Sequence, residues 1–174
     1  MILAYDKLEL TKEEVEILDN ISPFLSLSYR PAGEGNPQFF VHSLMPRAGG
    51  DDSYPKPGAV SSTYYDFFHN IFKNFCEKNS IKVNMVLRSA VNFSFSEPYV
   101  HSPIHVDHTF PHNVFIAYLN NFSCGETLLF DDNNVLVDKI VPEKYCAVVF
   151  DGQKHAIAPC SPYEIRIVLV TTFV

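Results

Sequence analysis

From residue 80 onward the sequence breaks into short apolar runs divided by turn residues, and this rhythm limits the fold more than any other feature. Strands are expected over residues 82–93, 114–119, 127–130, 135–141, 146–150, 155–158 and 164–173. Ser123-Cys124-Gly125, Asp131-Asp132-Asn133-Asn134 and Asp151-Gly152 supply turn chemistry between them. Many short strands at regular spacing close into a sandwich or barrel. The fold class expected is mainly β (α+β).

Two helices precede the strands. Thr11 followed by Glu14 fits a capping box, with Val15, Ile17, Leu18 and Ile21 as the apolar positions behind it. Residues 62–78 place Tyr65, Phe68, Ile71, Phe72 and Phe75 on one stripe at helical spacing, which predicts a core-facing helix. The helices are expected to pack on one outer face of the sheet. Between them, residues 31–57 are rich in Gly, Pro and Asp and read as loops, with a strand expected over 38–44. A connection of this length is often functional, as a lid is.

At 174 residues the chain is expected to form one domain, with a helical and loop part over 1–80 and a β core over 81–174. Apolar residues at 47% against 19% charged exclude general disorder. The 13 basic and 20 acidic residues leave a net charge of −7, which repels phosphate backbones, so neither a nucleic-acid nor a membrane partner is expected. No apolar run approaches the roughly 18 residues of a membrane span, and no signal peptide is read at the N-terminus. Cys76, Cys124, Cys146 and Cys160 form no C-x-x-C pair and are expected as free, mostly buried thiols, which points to the cytoplasm.

Four histidines cluster at His101, His105, His108 and His112, and His155 follows Asp151-Gly152. In His105-Val106-Asp107, a strand end would send residues i and i+2 the same way, roughly 6.5 Å apart, with Val106 facing the opposite layer. An imidazole and a carboxylate then converge on one ion. With His155 from a neighbouring strand, this makes the two-His, one-carboxylate set of non-haem Fe(II) oxygenases. The bland alternative is a surface loop with a solvated Asp. His112 is a rival third ligand, ranked below His155 because ligands on separate strands converge more easily. His101, His108 and His112 are otherwise expected as solvated loop residues near the mouth. Glu126 is a rival carboxylate in a turn, and Asp131 and Asp132 read as turn residues.

Arg166 is a lone charge in Ile165-Arg166-Ile167-Val168-Leu169-Val170. Buried, its fork needs an anion, which a ligand carboxylate supplies. A structural salt bridge or an outward-facing position are the alternatives.

Taken in order, His105-x-Asp107, Tyr118-Leu119-Asn120, Gly125-Glu126-Thr127, Pro142, His155 with Pro159, and Arg166 resemble the 2-oxoglutarate and Fe(II)-dependent dioxygenases, closest to the prolyl-hydroxylase-like branch. The resemblance spans about residues 85–173, half the chain. It implies a double-stranded β-helix, or jelly roll. It further implies Fe(II) held by His105, Asp107 and His155, and 2-oxoglutarate anchored through its C5 carboxylate by Arg166 and Tyr118. Asn92 is a further co-substrate contact, and O2 takes the last open metal position. With Asp107 present, hydroxylation is expected rather than halogenation. Val168 stands where the family often carries Ser or Thr, so one hydrogen bond to that carboxylate is missing or comes from elsewhere. The substrate expected is a peptide side chain or a small metabolite. The alternatives are a cupin-like metal protein that uses no 2-oxoglutarate and an inert β-helix serving as an interaction module.

Overall fold

Alternating residues on each strand of the second half go to opposite sides of one large sheet, and that division builds both the core and the cleft. The computed structural model describes residues 1–31, 38–50, 53–96 and 98–174. In chain order the strands are β1 (Ile2–Lys7), β2 (Ser28–Arg30), β3 (Phe39–Met45), β4 (Val86–Phe95), β5 (Asn113–Tyr118), β6 (Thr127–Phe130), β7 (Leu136–Ile140), β8 (Cys146–Asp151), β9 (His155–Ile157) and β10 (Ile165–Phe173). The helices are α1 (Lys12–Asn20) and α2 (Tyr65–Lys78). A seven-stranded sheet runs in the order β1-β8-β5-β10-β4-β3-β2, and a three-stranded sheet in the order β7-β6-β9. All pairings are antiparallel. The architecture is mainly β and consistent with a jelly roll.

One face of the large sheet meets the helices. Phe115 and Ala117 of β5, Ala147 and Val149 of β8, and Leu169 and Phe173 of β10 share a cluster with Leu18 of α1 and Phe68, Phe72 and Phe75 of α2. The Phe72 ring lies edge-on to Phe115 at 5.2 Å and to Phe173 at 5.1 Å, a favoured aromatic geometry. The intervening residues Val114, Ile116, Tyr118, Val148, Phe150 and Val168 face the small sheet through Leu129 and Ile140. Side chains of period two thus separate an aromatic layer from a second, thinner one.

Local rules account for where elements start. The Thr11 hydroxyl accepts from Glu14 N at 3.2 Å, and the Glu14 carboxylate accepts from Thr11 N at 2.7 Å, completing the capping box of α1. The second helix begins at Tyr65 rather than Ser62, because the Ser62 hydroxyl and carbonyl accept from Tyr64 N and Tyr65 N in a turn that precedes it. Strand β4 begins at Val86 rather than Lys82, because Asn84 N and Met85 N donate to the Val174 carbonyl beyond the end of β10. Strands β1 and β2 were not among the expected ones. Both are edge strands, and β1 alternates half-buried with exposed residues, a weak apolar signal. The strand expected over 38–44 is β3, while residues 32–37 and 51–52 of the expected 31–57 loop, and with them part of the expected lid, lie outside the described residues.

Candidate active site

The loop between β4 and β5 carries the His-x-Asp motif and is stitched to β9. Ser102 N donates to the Ile157 carbonyl at 2.8 Å, and the Ser102 hydroxyl accepts from Ile157 N at 3.0 Å. Further along, His105 and His155 form a single antiparallel bridge, with backbone N–H to carbonyl distances of 3.0 and 2.9 Å. That bridge, rather than a full strand, sets two imidazoles side by side with centroids 4.4 Å apart.

One ligand atom from each of His105, Asp107 and His155 lies within 4.8 Å of the others. Both rings are oriented the same way. The Nδ1 of His105 lies 3.0 Å from the Pro103 carbonyl, and the Nδ1 of His155 lies 3.0 Å from the Gln153 carbonyl. A carbonyl only accepts, so each Nδ1 carries a proton and each Nε2 is the nitrogen left to a metal, the arrangement that prepares a histidine as a ligand. His155 Nε2 stands 3.6 Å from Asp107 Oδ2. That carboxylate oxygen is buried and makes no hydrogen bond. A buried oxygen left so is costly unless a cation completes it.

The electrostatics agree. Burial alone would raise the Asp107 carboxyl, but the neighbouring His155, Arg88, His105 and His112 side chains outweigh it and hold it below the usual carboxylate value. Burial pushes the His155 imidazole down despite the pull of Asp107, which favours the neutral ligating form. Val106 does not enter the opposite layer. It is 45% exposed and lines the cleft, because its segment extends the small sheet by only one bridge.

A cleft of about 490 Å³ opens beside this group, lined in part by Asn92, Ser94 and Pro103. Arg166 stands opposite Ser94 on the next strand. It is 1% exposed, and among the described residues no carboxylate pairs with it. Its Nε donates to the Gly125 carbonyl at 3.0 Å and its Nη2 to the Thr127 hydroxyl at 3.3 Å. The Tyr118 side chain is a further partner of the fork. The outward position is thereby excluded, and among the described residues no salt bridge forms. Tyr118 is fully buried, with its hydroxyl 3.0 Å from Thr127 Oγ1 and its ring 5.7 Å from the Arg166 guanidinium carbon. Burial raises the Tyr118 hydroxyl despite the nearby Arg166 charge, so it stays protonated. Gly125 holds a φ of +70°, and a Cβ there would come within 2.8 Å of the Phe122 ring, so glycine is needed to aim its carbonyl at Arg166. Asn92 Oδ1 is buried without a partner in the same cleft.

Three groups fall outside the expectations. His108 and His112 are 5% and 6% exposed, not solvated. The loop folds inward, so His108 Nε2 reaches Thr172 Oγ1 at 3.0 Å and His112 Nδ1 donates to the Phe110 carbonyl at 2.8 Å. His112 Nε2 is buried and makes no hydrogen bond, yet it lies outside the convergent group. Thr127 sits in the Gly-Glu-Thr run and places a hydroxyl beside Arg166 where Val168 has none. Arg88 and Arg47 reach Asp107 Oδ1 at 3.7 and 3.9 Å. Arg88 had a readable signal, a charge alternating with apolar residues in β4, the same signal as Arg166. Glu126 pairs with Lys139 at 2.8 Å and takes no part in the site. The Asp131 carboxylate accepts from Asn133 N and Val135 N, as a turn residue does.

No family model matches the sequence, and no curated protein does. Solved structures match its fold. An oxidoreductase of the 2OG-Fe(II) oxygenase family from Burkholderia pseudomallei superposes with a TM-score of 0.72 at 16% identity, over 94% of this chain and 80% of its own. A prolyl-4-hydroxylase from Pseudomonas putida gives 0.56 at 16% identity, over 98% and 90%. A prolyl hydroxylase from Trichoplax adhaerens, solved with a peptide fragment of the hypoxia inducible factor oxygen degradation domain, gives 0.62 at 14% identity, over 98% and 82%. At these identities the likeness is one of fold: the chain has the fold of the 2OG-Fe(II) oxygenases, prolyl hydroxylases among them.

Proposed function

We propose that this chain is an Fe(II)- and 2-oxoglutarate-dependent oxygenase that hydroxylates a C–H bond of a peptide side chain or small metabolite. The reading takes residues 1–174 as one catalytic domain working in the cytoplasm, where its free thiols, three of them buried, stay reduced. Among the described residues, no helix is long and apolar enough to cross a membrane. One observation carries the reading: three ligand atoms converge around a buried, unsatisfied carboxylate oxygen, while the buried Arg166 guanidinium, on the strand beside the cleft residue Ser94, has no carboxylate partner among the described residues.

His105, Asp107 and His155 would hold the iron. Bound there with 2-oxoglutarate, it supplies the activation of dioxygen that releases succinate and carbon dioxide and delivers one oxygen atom to a C–H bond. Arg166 offers its fork to the far carboxylate, with the Tyr118 hydroxyl as a protonated donor beside it. Asn92 serves as a further polar contact on the cleft floor. The Pro103 and Gln153 carbonyls keep both imidazoles in the ligating tautomer. The apolar layer beneath Tyr118 and Val168 excludes water from that end of the site.

Anaerobic titration of the protein with Fe(II) and 2-oxoglutarate tests this. A weak visible charge-transfer band is expected, lost in Asp107→Ala together with bound iron, and a peptide and metabolite screen is expected to show stimulated succinate release. Metal binding with no band and no 2-oxoglutarate affinity would assign the site to a cupin-like metal protein instead. Failure to bind metal at all would leave an inert module.

A further inference from the structure

The face of β4 that lines the cleft has an arginine near each end. Along β4, Ser94 lies beside Arg166 at one end, and Arg88 is six residues earlier at the other, roughly 20 Å away along the strand. Arg166 faces the Gly125–Thr127 turn, while Arg88 faces Asp107. Arg47, just past the end of β3, approaches the same Asp107 oxygen. Both guanidiniums line the cleft, with side chains 25% and 41% exposed, so they reach its solvent. The Arg30 charge also acts on Arg88.

Neither contact to Asp107 is a hydrogen bond. A guanidinium committed to a carboxylate closes to about 2.7–2.9 Å, often through two N–H groups. At 3.7 and 3.9 Å these side chains neutralise Asp107 without being held by it. Asp107 is the only carboxylate lining the cleft among the described residues. Once Asp107 serves a dication, its charge is no longer available to Arg88. Among the described residues Arg88 then has no carboxylate beside it at the cleft wall, in a chain whose net charge is −7. Like charges gathered around a low-dielectric cleft attract an anion and repel a cation.

We propose that the substrate carries an oxyanion, a carboxylate or a phosphate, which Arg88 grips at the metal end of the cleft with Arg47 beside it. The assignment rests on the oxygenase reading, which gives the opposite end to 2-oxoglutarate. It predicts that the reacting C–H bond belongs to an acidic metabolite or to a residue adjoining an acidic group. A neutral or basic segment meets the arginines with nothing to offset their desolvation.

Three ligands of one shape test it: benzoate, phenyl phosphate and the uncharged benzamide. Calorimetric titration into protein loaded with Zn(II) and 2-oxoglutarate is expected to show one of the two anions binding at least about tenfold more tightly than benzamide. The tighter anion names the source. Arg88→Gln is expected to weaken it about tenfold while 2-oxoglutarate affinity changes less than about threefold. Arg88→Lys, which keeps the charge and loses the fork, is expected to fall between. Arg47→Gln, at the more exposed position, is expected to cost about threefold and stands in for Arg88→Gln should that variant fail to fold. Equal binding of benzamide and the anions would overturn the proposal. So would an Arg88→Gln variant that weakens 2-oxoglutarate as much as the anion, which would assign Arg88 to the co-substrate. Should 2-oxoglutarate itself not bind, the oxygenase reading fails separately, and the same comparison on Zn(II)-loaded protein still decides the role of Arg88.

Discussion

On β10, Leu169 and Phe173 enter the layer under the helices, while Arg166 and Val168 enter the space between the sheets. Both layers hold residues of 0–1% exposure. They differ in what satisfies them. Under α2 the contacts are aromatic edges and aliphatic carbons, each complete within the chain. In and beside the cleft, a carboxylate oxygen and an amide oxygen are left without hydrogen-bond partners and a guanidinium has no carboxylate, among the described residues. One sheet thus carries a finished face and an unfinished one, and the unfinished one is where a ligand contributes. Burial is expected to serve stability on the first face and binding on the second.

The finished face yields the larger stability effect. Phe72→Ala removes a ring held between Phe115 and Phe173 and leaves a cavity in a dry layer. A loss of about 3–5 kcal/mol is expected, which for a chain of this size lowers the melting temperature on the order of 10 °C. The affinity of the folded fraction for Fe(II) and 2-oxoglutarate is expected to stay as it was. Thermal melts with parallel calorimetry check both, and a change in affinity with little loss of stability would dissolve the contrast between the faces.

Arg166→Met makes the opposite cut. It removes a buried charge and substitutes an apolar chain of similar length. The desolvation penalty that disappears offsets the two hydrogen bonds to Gly125 and Thr127, so the melting temperature without ligand is expected not to fall. Binding of 2-oxoglutarate is expected to weaken at least thirtyfold, about 2 kcal/mol or more, because its far carboxylate would be buried with no cation. The parent is therefore expected to gain heat stability from added 2-oxoglutarate, and the variant not to. A large drop in the melting temperature of the ligand-free variant would make Arg166 a structural residue.

The two faces were not equally legible in the sequence. The helix-covered layer was readable because period-two strands and a 3.6-residue stripe each repeat, and Phe68, Phe72 and Phe75 report the same surface several times over. Edge strands escaped because β1 and β2 bury little. The site residues were readable by type and spacing, and the folded chain brings His105, Asp107 and His155 together. Convergence itself depends on the single His105–His155 bridge, which no local pattern announces. The burial of His108 and His112 was not readable either, since their loop turns inward through contacts with Thr172 and with the close-lying Gly152, forty and more residues away. Arg88 and Arg47 come to Asp107 from two other strands' neighbourhoods, and only tertiary structure gives that meeting.

The smallest expected effect belongs to the edge of the finished face. His69 stacks on Tyr65 with centroids 5.1 Å apart and tilts against Phe72 at 5.9 Å. Burial lowers its imidazole below the ordinary value of about 6.5, against the opposing pull of Asp66 and with the help of Lys73. The unfolded chain therefore takes up this proton first as pH falls. Stability from His69 is full above about pH 6.5 and declines from there toward the lowered folded value, below which nothing more is lost. His69→Phe keeps the stack and has no proton to bind, so its stability is expected to fall less between pH 7 and pH 5.5 than that of the parent. Urea melts at the two pH values measure the difference, and equal losses in both proteins would show that His69 is better solvated than its neighbours imply.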